Sequence, residues 1–327
     1  MKKNIAIIMG GYSNEYQISL KSGNVVYESL PKTHYNAYCI HIFKDRWVYV
    51  SNDLQEFPIN KADFSINLNG EKINFDCVFN AIHGAPGEDG TIQAYFELLS
   101  IPHTSCDMYQ AALTFNKRDC LSVLKPYGIR TADSYFLNAG DAIDPVAIET
   151  AVGFPCFVKA NKAGSSFGVT KVYSKEELPK AIDIAFKEDD ELIIESYLDG
   201  IEVSVGVFRY KGVVTVLPIT EIVTENDFFD YEAKYLGKSQ EITPARLSDS
   251  QELDVRTVAK SIYEILKLEG FSRSEFIFKN NKPHLLEINT IPGLTKESIL
   301  PQQAAQAGIS LPDLFDNAIQ ESLRKNS

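Results

Sequence analysis

The chain has 327 residues, 44% hydrophobic and 23% charged, a balance typical of an ordinary soluble protein large enough for two or three domains. A formal net charge of -12 excludes a general binder of nucleic-acid backbones, which needs clustered cations, but leaves room for a local basic pocket. Cys39, Cys77, Cys106, Cys120 and Cys156 are scattered, odd in number and free of any CxxC pair. They fit small core residues of a reducing compartment and argue against a disulfide frame or zinc site.

The apolar run after Lys2-Lys3 is cut short at Gly10-Gly11, so it does not grow into a signal sequence, and no stretch approaches membrane-spanning length. A cytoplasmic protein without a membrane or nucleic-acid partner is expected. Ile5 to Met9 reads as a buried strand, and a helix follows from Ser19 to Leu30. Strands are expected at Tyr35 to Phe43, Trp47 to Val50 and Phe75 to Ile82. The last runs into His83-Gly84-Ala85-Pro86-Gly87-Glu88-Asp89-Gly90 and a helix from Thr91 to Leu99. Ligand loops gather where such strands end, so both glycine turns are candidate site loops. Neither is a GxGxxG fingerprint, and no Walker A sequence occurs, which disfavours a Rossmann dinucleotide site and a P-loop.

Ser105 to Pro126 reads as one helix containing Lys117. The middle of the chain offers strands at Ser134 to Leu137 and Cys156 to Ala160, then a small loop from Asn161 to Gly168, then Val169 to Tyr173, a hairpin with a pliable tip. A helix from Lys175 to Lys187 and strands at Glu191 to Ser196, Glu202 to Tyr210 and Val213 to Leu217 come next. Asn226 to Gly237 is charged and aromatic without a clear period, the mark of a long functional loop. Ser248 is expected to cap a helix reaching Leu268, with Leu253, Val258, Ile262, Ile265 and Leu266 inward. Phe271 to Phe278 and His284 to Asn289 close the pattern as a hairpin.

That hairpin carries the most informative chemistry. Glu287 and Asn289 stand at alternate positions, which share a face in an extended strand. Glu275 belongs to the neighbouring strand. Hard oxygen ligands in this arrangement suit magnesium held with nucleotide phosphates. Lys159 sits at a strand end beside the Gly164-Ser165-Ser166 loop, whose amides could close over phosphates, and Lys117 and Lys234 add cations. Charge neutralisation dominates phosphoryl transfer, so lysines and metal oxygens together point to a magnesium triphosphate. A lone lysine would mean little; the combination carries the reading.

The ordered motifs resemble the ATP-grasp ligases, and among them the D-alanine–D-alanine ligase family. They run from Gly10-Gly11-Tyr12-Ser13-Asn14-Glu15 through His83-Gly84, Gly87-Glu88-Asp89-Gly90-Thr91-Ile92-Gln93 and Asn116-Lys117. They continue through Gly164-Ser165-Ser166-Phe167-Gly168, Glu195, Glu202 and Tyr231-Glu232-Ala233-Lys234-Tyr235 to Arg273, Glu287-Ile288-Asn289-Thr290-Ile291-Pro292-Gly293 and Ser298. The resemblance implies an α/β fold, α+β in its ATP-grasp part, with an N-terminal Rossmann-like parallel-sheet domain at 1–114. A central ATP-grasp subdomain at 115–212 and a C-terminal one at 213–327 follow.

The activity implied is ATP-dependent joining of two D-alanines through a D-alanyl phosphate for peptidoglycan synthesis, with magnesium (two ions, manganese as a substitute). By resemblance Glu15 takes the first substrate's ammonium and His83 lies near it. Arg273 and the Gly293 amide stabilise the oxyanion, and Ser298 holds the second carboxylate. Lys117, Lys159 and Lys234 with Ser165 and Ser166 hold phosphates, Glu195 and Leu198 the adenine, and Glu202 the ribose. Glu275, Glu287 and Asn289 hold metal. Ser165 would tie Glu15 to Tyr235 and so close the lid, and Tyr235 favours D-alanine as second substrate. A homodimer through the N-terminal domain is also implied.

The chain departs from the family twice: Glu275 replaces the usual aspartate, and Ala160 to Ala163 replaces the usual proline- and glutamate-containing segment, adding Lys162. Other readings are a D-alanine–D-lactate or other D-amino-acid ligase, and a nonenzymatic nucleotide-binding protein of the same fold.

Overall fold

The computed structural model describes residues 2–164, 167–224 and 239–325. Its first sheet has five strands in the spatial order Glu56–Pro58, Trp47–Val50, Tyr35–Ile42, Lys3–Gly10, Cys77–Asn80. Lys3–Gly10 runs parallel to both of its neighbours, in register from Lys3 opposite Tyr35 and from Ile5 opposite Cys77. Ile5 to Met9 is fully buried because both sheet faces are covered. Ile5, Ile7 and Met9 pack with Leu314, Phe315 and Ile319 of the helix Leu311–Lys325. Ala6 and Ile8 pack with Phe64, Ile92 and Phe96. The last helix of the chain thus completes the first core.

The second sheet is antiparallel, ordered Thr170–Val172, Cys156–Ala160, Glu191–Ser196, Ser134–Asn138, and the expected hairpin forms with Val158 opposite Thr170. The helices Pro145–Val152 and Leu178–Ala185 share its apolar cluster through Ile148, Val152, Leu178 and Ile182. The third sheet orders Ser239–Ile242, Thr220–Thr224, Ile201–Tyr210, Phe271–Lys279 and Lys282–Asn289, with Val213–Val216 paired to Ile201–Tyr210. Among the described residues, the strands paired with Ile201–Tyr210 all lie in this third sheet.

Three expectations are corrected. The helix expected from Ser105 to Pro126 is two helices, Met108–Phe115 and Lys117–Leu124. Asn116 breaks them with extended backbone, and its side chain accepts from the Asp119 amide, a cap that starts a new helix. Ser248 caps the helix Asp249–Ile265 with Gln251 in a reciprocal box, but Leu253 is 67% exposed. The buried stripe is Val255, Ala259, Ile262 and Tyr263, one helical face set by packing on the third sheet. Finally, the strand expected from Phe75 to Ile82 is only Cys77–Asn80, the length paired with Ile5 to Ile8.

The closing hairpin contains an irregularity that matters for the site. Glu275 pairs with Glu287 but Phe276 pairs with Leu285, leaving Leu286 as an extra residue. Up to that point Pro283 and Leu285 are buried; beyond it Ile288 is. The inward phase changes by one residue, so Leu285 joins the core while Glu287 faces a cavity.

Candidate active site

Two cavities, of about 330 and about 410 Å³, adjoin where the three sheets meet, and Lys117, Ala163, Arg273 and Glu287 line both. Of the expected site residues, Glu15, His83, Lys117, Arg273, Glu287, Asn289, Gly293 and Ser298 line the smaller cavity. Lys117, Lys159, Glu195, Leu198, Glu202, Arg273, Glu275 and Glu287 line the larger. Ser165, Ser166, Lys234 and Tyr235 lie outside the described residues.

In the smaller cavity, Glu15 stands directly before the helix Tyr16–Ser29. A Cβ on Gly164 would come within 2.8 Å of Glu15 Oε2, so the base of the serine loop lies against this carboxylate, whose end would have to shift to admit a side chain there. His83 is buried and 3.8 Å from Glu88 Oε1. Burial first, then the charge of Glu15, pushes the Glu88 carboxyl up, opposed by hydrogen bonding with His83 and the Gly84 backbone. Ser298 caps the helix Ile299–Gln306 without bonding its amides, leaving that helix end directed to the cavity beside Gly293. Such an end suits a carboxylate.

The start of the helix Lys117–Leu124 is stapled to the base of the serine loop by buried Asn161. Its side-chain amide donates to Asn116 Oδ1 and to Glu191 Oε2, both at 2.9 Å, and its oxygen accepts from the Arg118 amide. Lys117 is thereby held 2.8 Å from the Ala163 carbonyl, to which it donates, and 3.4 Å from Glu287 Oε2. Lys162 turns elsewhere: its ammonium lies 3.0 Å from Glu191 and 3.7 Å from Asp189.

In the larger cavity Lys159 donates to Glu195 Oε2 at 2.7 Å. Burial acts to lower the Lys159 ammonium pKa, yet the Glu195 charge and hydrogen bond outweigh it, so it rises. Glu195 Oε1 is buried with no partner among the described residues, an acceptor left over for a bound group's N–H. Leu198 adds an apolar wall, and Arg246 clamps Glu221 at the rim with contacts of 2.6 and 2.8 Å. That clamp holds the Glu221 carboxyl below its ordinary value.

Glu275 and Glu287 are directly opposed across the hairpin. Arg273 Nε is 3.1 Å from Glu275 Oε1 but is not aligned to donate to it. The described residues contain no group of three or more His, Cys, Asp or Glu able to hold a metal. Two opposed carboxylates with Asn289 nearby therefore fit an ion that takes its other ligands from phosphates, not a self-sufficient metal cage. Asn289 Oδ1 already accepts from the Ile291 amide at 2.8 Å and keeps one lone pair for a second partner.

Glu88 and Glu241 were missed as cavity residues. Glu88 lies within the glycine-rich motif Gly87-Glu88-Asp89-Gly90, and Glu241 has no motif around it. Burial and then the opposing pull of Arg273 leave the Glu241 carboxyl raised.

The fold and the joined cavities define an ATP-grasp enzyme of the carboxylate-ligase type. Residues 4–106 match the family described as D-ala D-ala ligase N-terminus, and residues 123–320 match D-ala D-ala ligase C-terminus. The D-alanine–D-alanine ligase of Flavobacterium johnsoniae is 69% identical, over 98% of this chain and 99% of its own. That of Christiangramia forsetii is 59% identical, over 99% and 100%. Among solved structures, the VanG D-Ala:D-Ser ligase of Enterococcus faecalis matches with TM-score 0.86 and 31% identity, covering 98% of this chain and 99% of that one. The Bacillus anthracis D-alanine–D-alanine ligase complexed with ATP matches with TM-score 0.79 and 29% identity, covering 99% and 98%. The chain belongs to the D-alanine–D-alanine ligase family.

Proposed function

We propose that this protein joins two D-alanines to D-alanyl-D-alanine at the expense of ATP, through a D-alanyl phosphate, for peptidoglycan precursors. The observation that carries the proposal is the junction of the two cavities at Lys117, Arg273 and Glu287, with full-length kinship to ligases named for this activity. A phosphoryl donor in the larger cavity and a carboxylate acceptor in the smaller one would meet there.

On this reading Glu15 holds the first substrate's ammonium, and a carboxylate is its natural counter-charge. Lys117 and Lys159 neutralise phosphate oxygens, with Lys234, Ser165 and Ser166 adding to them. Glu195 and Leu198 receive the adenine, and Glu202 the ribose. Arg273 and the Gly293 amide are fixed donors for the oxyanion that forms as the second amine attacks, and Ser298 with its helix end holds the second carboxylate. Magnesium bound by Glu275, Glu287 and Asn289 would supply charge neutralisation at the phosphates. Ser165 and Tyr235 would exclude water from the acylphosphate.

The preference for D-alanine as second substrate now draws its support from the 69% identical relative. Phosphate release should be strong with ATP and D-alanine and at background with L-alanine; equal release with both would sink the assignment. The three units proposed are those near 1–114, 115–212 and 213–327. A cytoplasmic homodimer is the proposed working form. Among the described residues no helix is long and apolar enough to cross a membrane. Light scattering should give twice the chain mass, and a monomeric mass would overturn the dimer.

A further inference from the structure

The turn that carries Gly293 is held from outside its own sheet. Asn289 Oδ1 accepts from the Ile291 amide at 2.8 Å, a restraint that the hairpin itself supplies. Two more come from the first sheet's side of the molecule, from His83 and from Ser22 on the helix Tyr16–Ser29. His83 Nδ1 lies 2.9 Å from the Ile291 carbonyl, which accepts only, so this nitrogen carries the proton and donates. His83 Nε2 lies 3.1 Å from Ser22 Oγ, and the Leu294 amide donates to the same oxygen at 3.3 Å. With Nδ1 protonated, Ser22 donates its hydroxyl proton to Nε2 and accepts from Leu294, so both ring nitrogens and the hydroxyl are paired. Ser22 and His83 are 0% and 5% exposed, so water is not the competing partner.

We propose that Ser22 is a positioning residue of the ligation step. It acts through His83 and the Leu294 amide to bracket Ile291 to Leu294, fixing the direction of the Gly293 amide between them. The inference rests on the oxyanion role proposed for Gly293. Apolar packing alone would not fix that direction. Leu294 is buried in the cluster shared with Ile5, Met9 and Phe79, which anchors the turn by one side chain but leaves its peptide planes free to tilt. Two hydrogen bonds on either side of Gly293, both from residues more than 200 positions away, remove that freedom. Oxyanion donors work by being aimed before charge develops, so a loosened turn lowers turnover without altering ground-state binding. Ser22 touches neither cavity, which separates this role from substrate contact.

The test is steady-state kinetics of Ser22→Ala, with His83→Asn, His83→Gln and the Ser22→Ala/His83→Asn double variant. Ser22→Ala should lose about ten-fold in kcat with KM for D-alanine and ATP within about two-fold, the size expected for one buried hydrogen-bond partner removed. His83→Asn keeps a donor where Nδ1 was, so it should outperform His83→Gln. Each of Ser22→Ala and His83→Asn breaks the same link, so the double variant should be no slower than the worse single one. Should Ser22→Ala fold poorly, Ser22→Cys provides a nearly isosteric variant with a weaker donor, expected between it and the parent. A kcat within two-fold of the parent, a loss confined to KM, or losses that multiply in the double variant would each overturn the bracket. Absence of ligation in the parent protein would instead overturn the activity itself.

Discussion

Arg273→Lys should reduce kcat by about 10²-fold or more, although it keeps a cation beside Glu275. Arg273 lies on the strand Phe271–Lys279, opposite Asn289 in register, and lines both cavities. On the proposed reading, its position would let one rigid fork of N–H groups serve the acceptor in one cavity and the donor in the other. A lysine supplies charge but neither the second donor direction nor the fixed plane. Loss of one oriented oxyanion donor typically costs 10²–10³ in turnover. Its Nε already lies 3.1 Å from Glu275 Oε1 without being aligned for it, so the side chain is not set for its neighbour carboxylate alone. Arg273→Met should lose at least as much, with an added stability penalty from the Glu275 charge left beside an apolar side chain. Single-turnover rates at saturating ATP and D-alanine, beside circular dichroism, make the check. A Lys variant within five-fold of the parent would remove Arg273 from the oxyanion role.

Gly270→Ala should be the most damaging small change outside the cavities. Gly270 has φ +62, and a Cβ there would lie 2.1 Å from the Thr104 carbonyl oxygen. That collision is backbone against backbone, between the residue before Phe271–Lys279 and the segment that follows the first sheet. The Gly270 carbonyl also accepts from buried Tyr263 at 3.0 Å, so neither side can swing away without cost. Strain and collision together should destabilise by about 3 kcal/mol or more. Gly128 offers the control: its φ is +81, but a Cβ there would meet nothing within 4 Å. Gly128→Ala should cost only about 1 kcal/mol, the strain of the left-handed region alone. Urea unfolding midpoints of the two variants decide it. Equal shifts would mean that the close approach to Thr104 is absent in solution.

The hairpin that carries the proposed metal ligands was legible because its carboxylates sit on adjacent strands close in sequence. Glu275 and Glu287 were read as neighbours, and they face one another. Lys117 was legible as a cation but not as the opening of a helix, since a single residue, Asn116, decides between one long helix and two short ones. Leu253 looked inward because it is apolar; the true stripe was chosen by the sheet it packs on, which no local period displays. Ser22, and the role of Glu88 within its motif, were beyond reach for a related reason. Their meaning depends on His83, and through it on a carbonyl 208 positions further along, a contact only the assembled fold creates.

The extra residue at Leu286 has a bearing on how this protein can vary. Strict alternation would send Leu285 and Glu287 to the same side, one to the core and one to the cavity, which no single face can satisfy. The bulge resolves the conflict, and Glu287 keeps its cavity side only while Leu286 bulges. Straightening the strand with Leu286 retained would turn Glu287 to the side of Leu285, whereas deleting Leu286 would make the two adjacent and leave them on opposite faces. The far end of the same hairpin, where Asn280 and Asn281 turn in the open with φ +52 and +57, has no such constraint. Length changes should accumulate there, while an insertion beside Leu286 would turn Glu287 or Leu285 to the wrong face unless it too bulged out. Over this one ribbon, then, the face a side chain takes is set by spacing as much as by its identity.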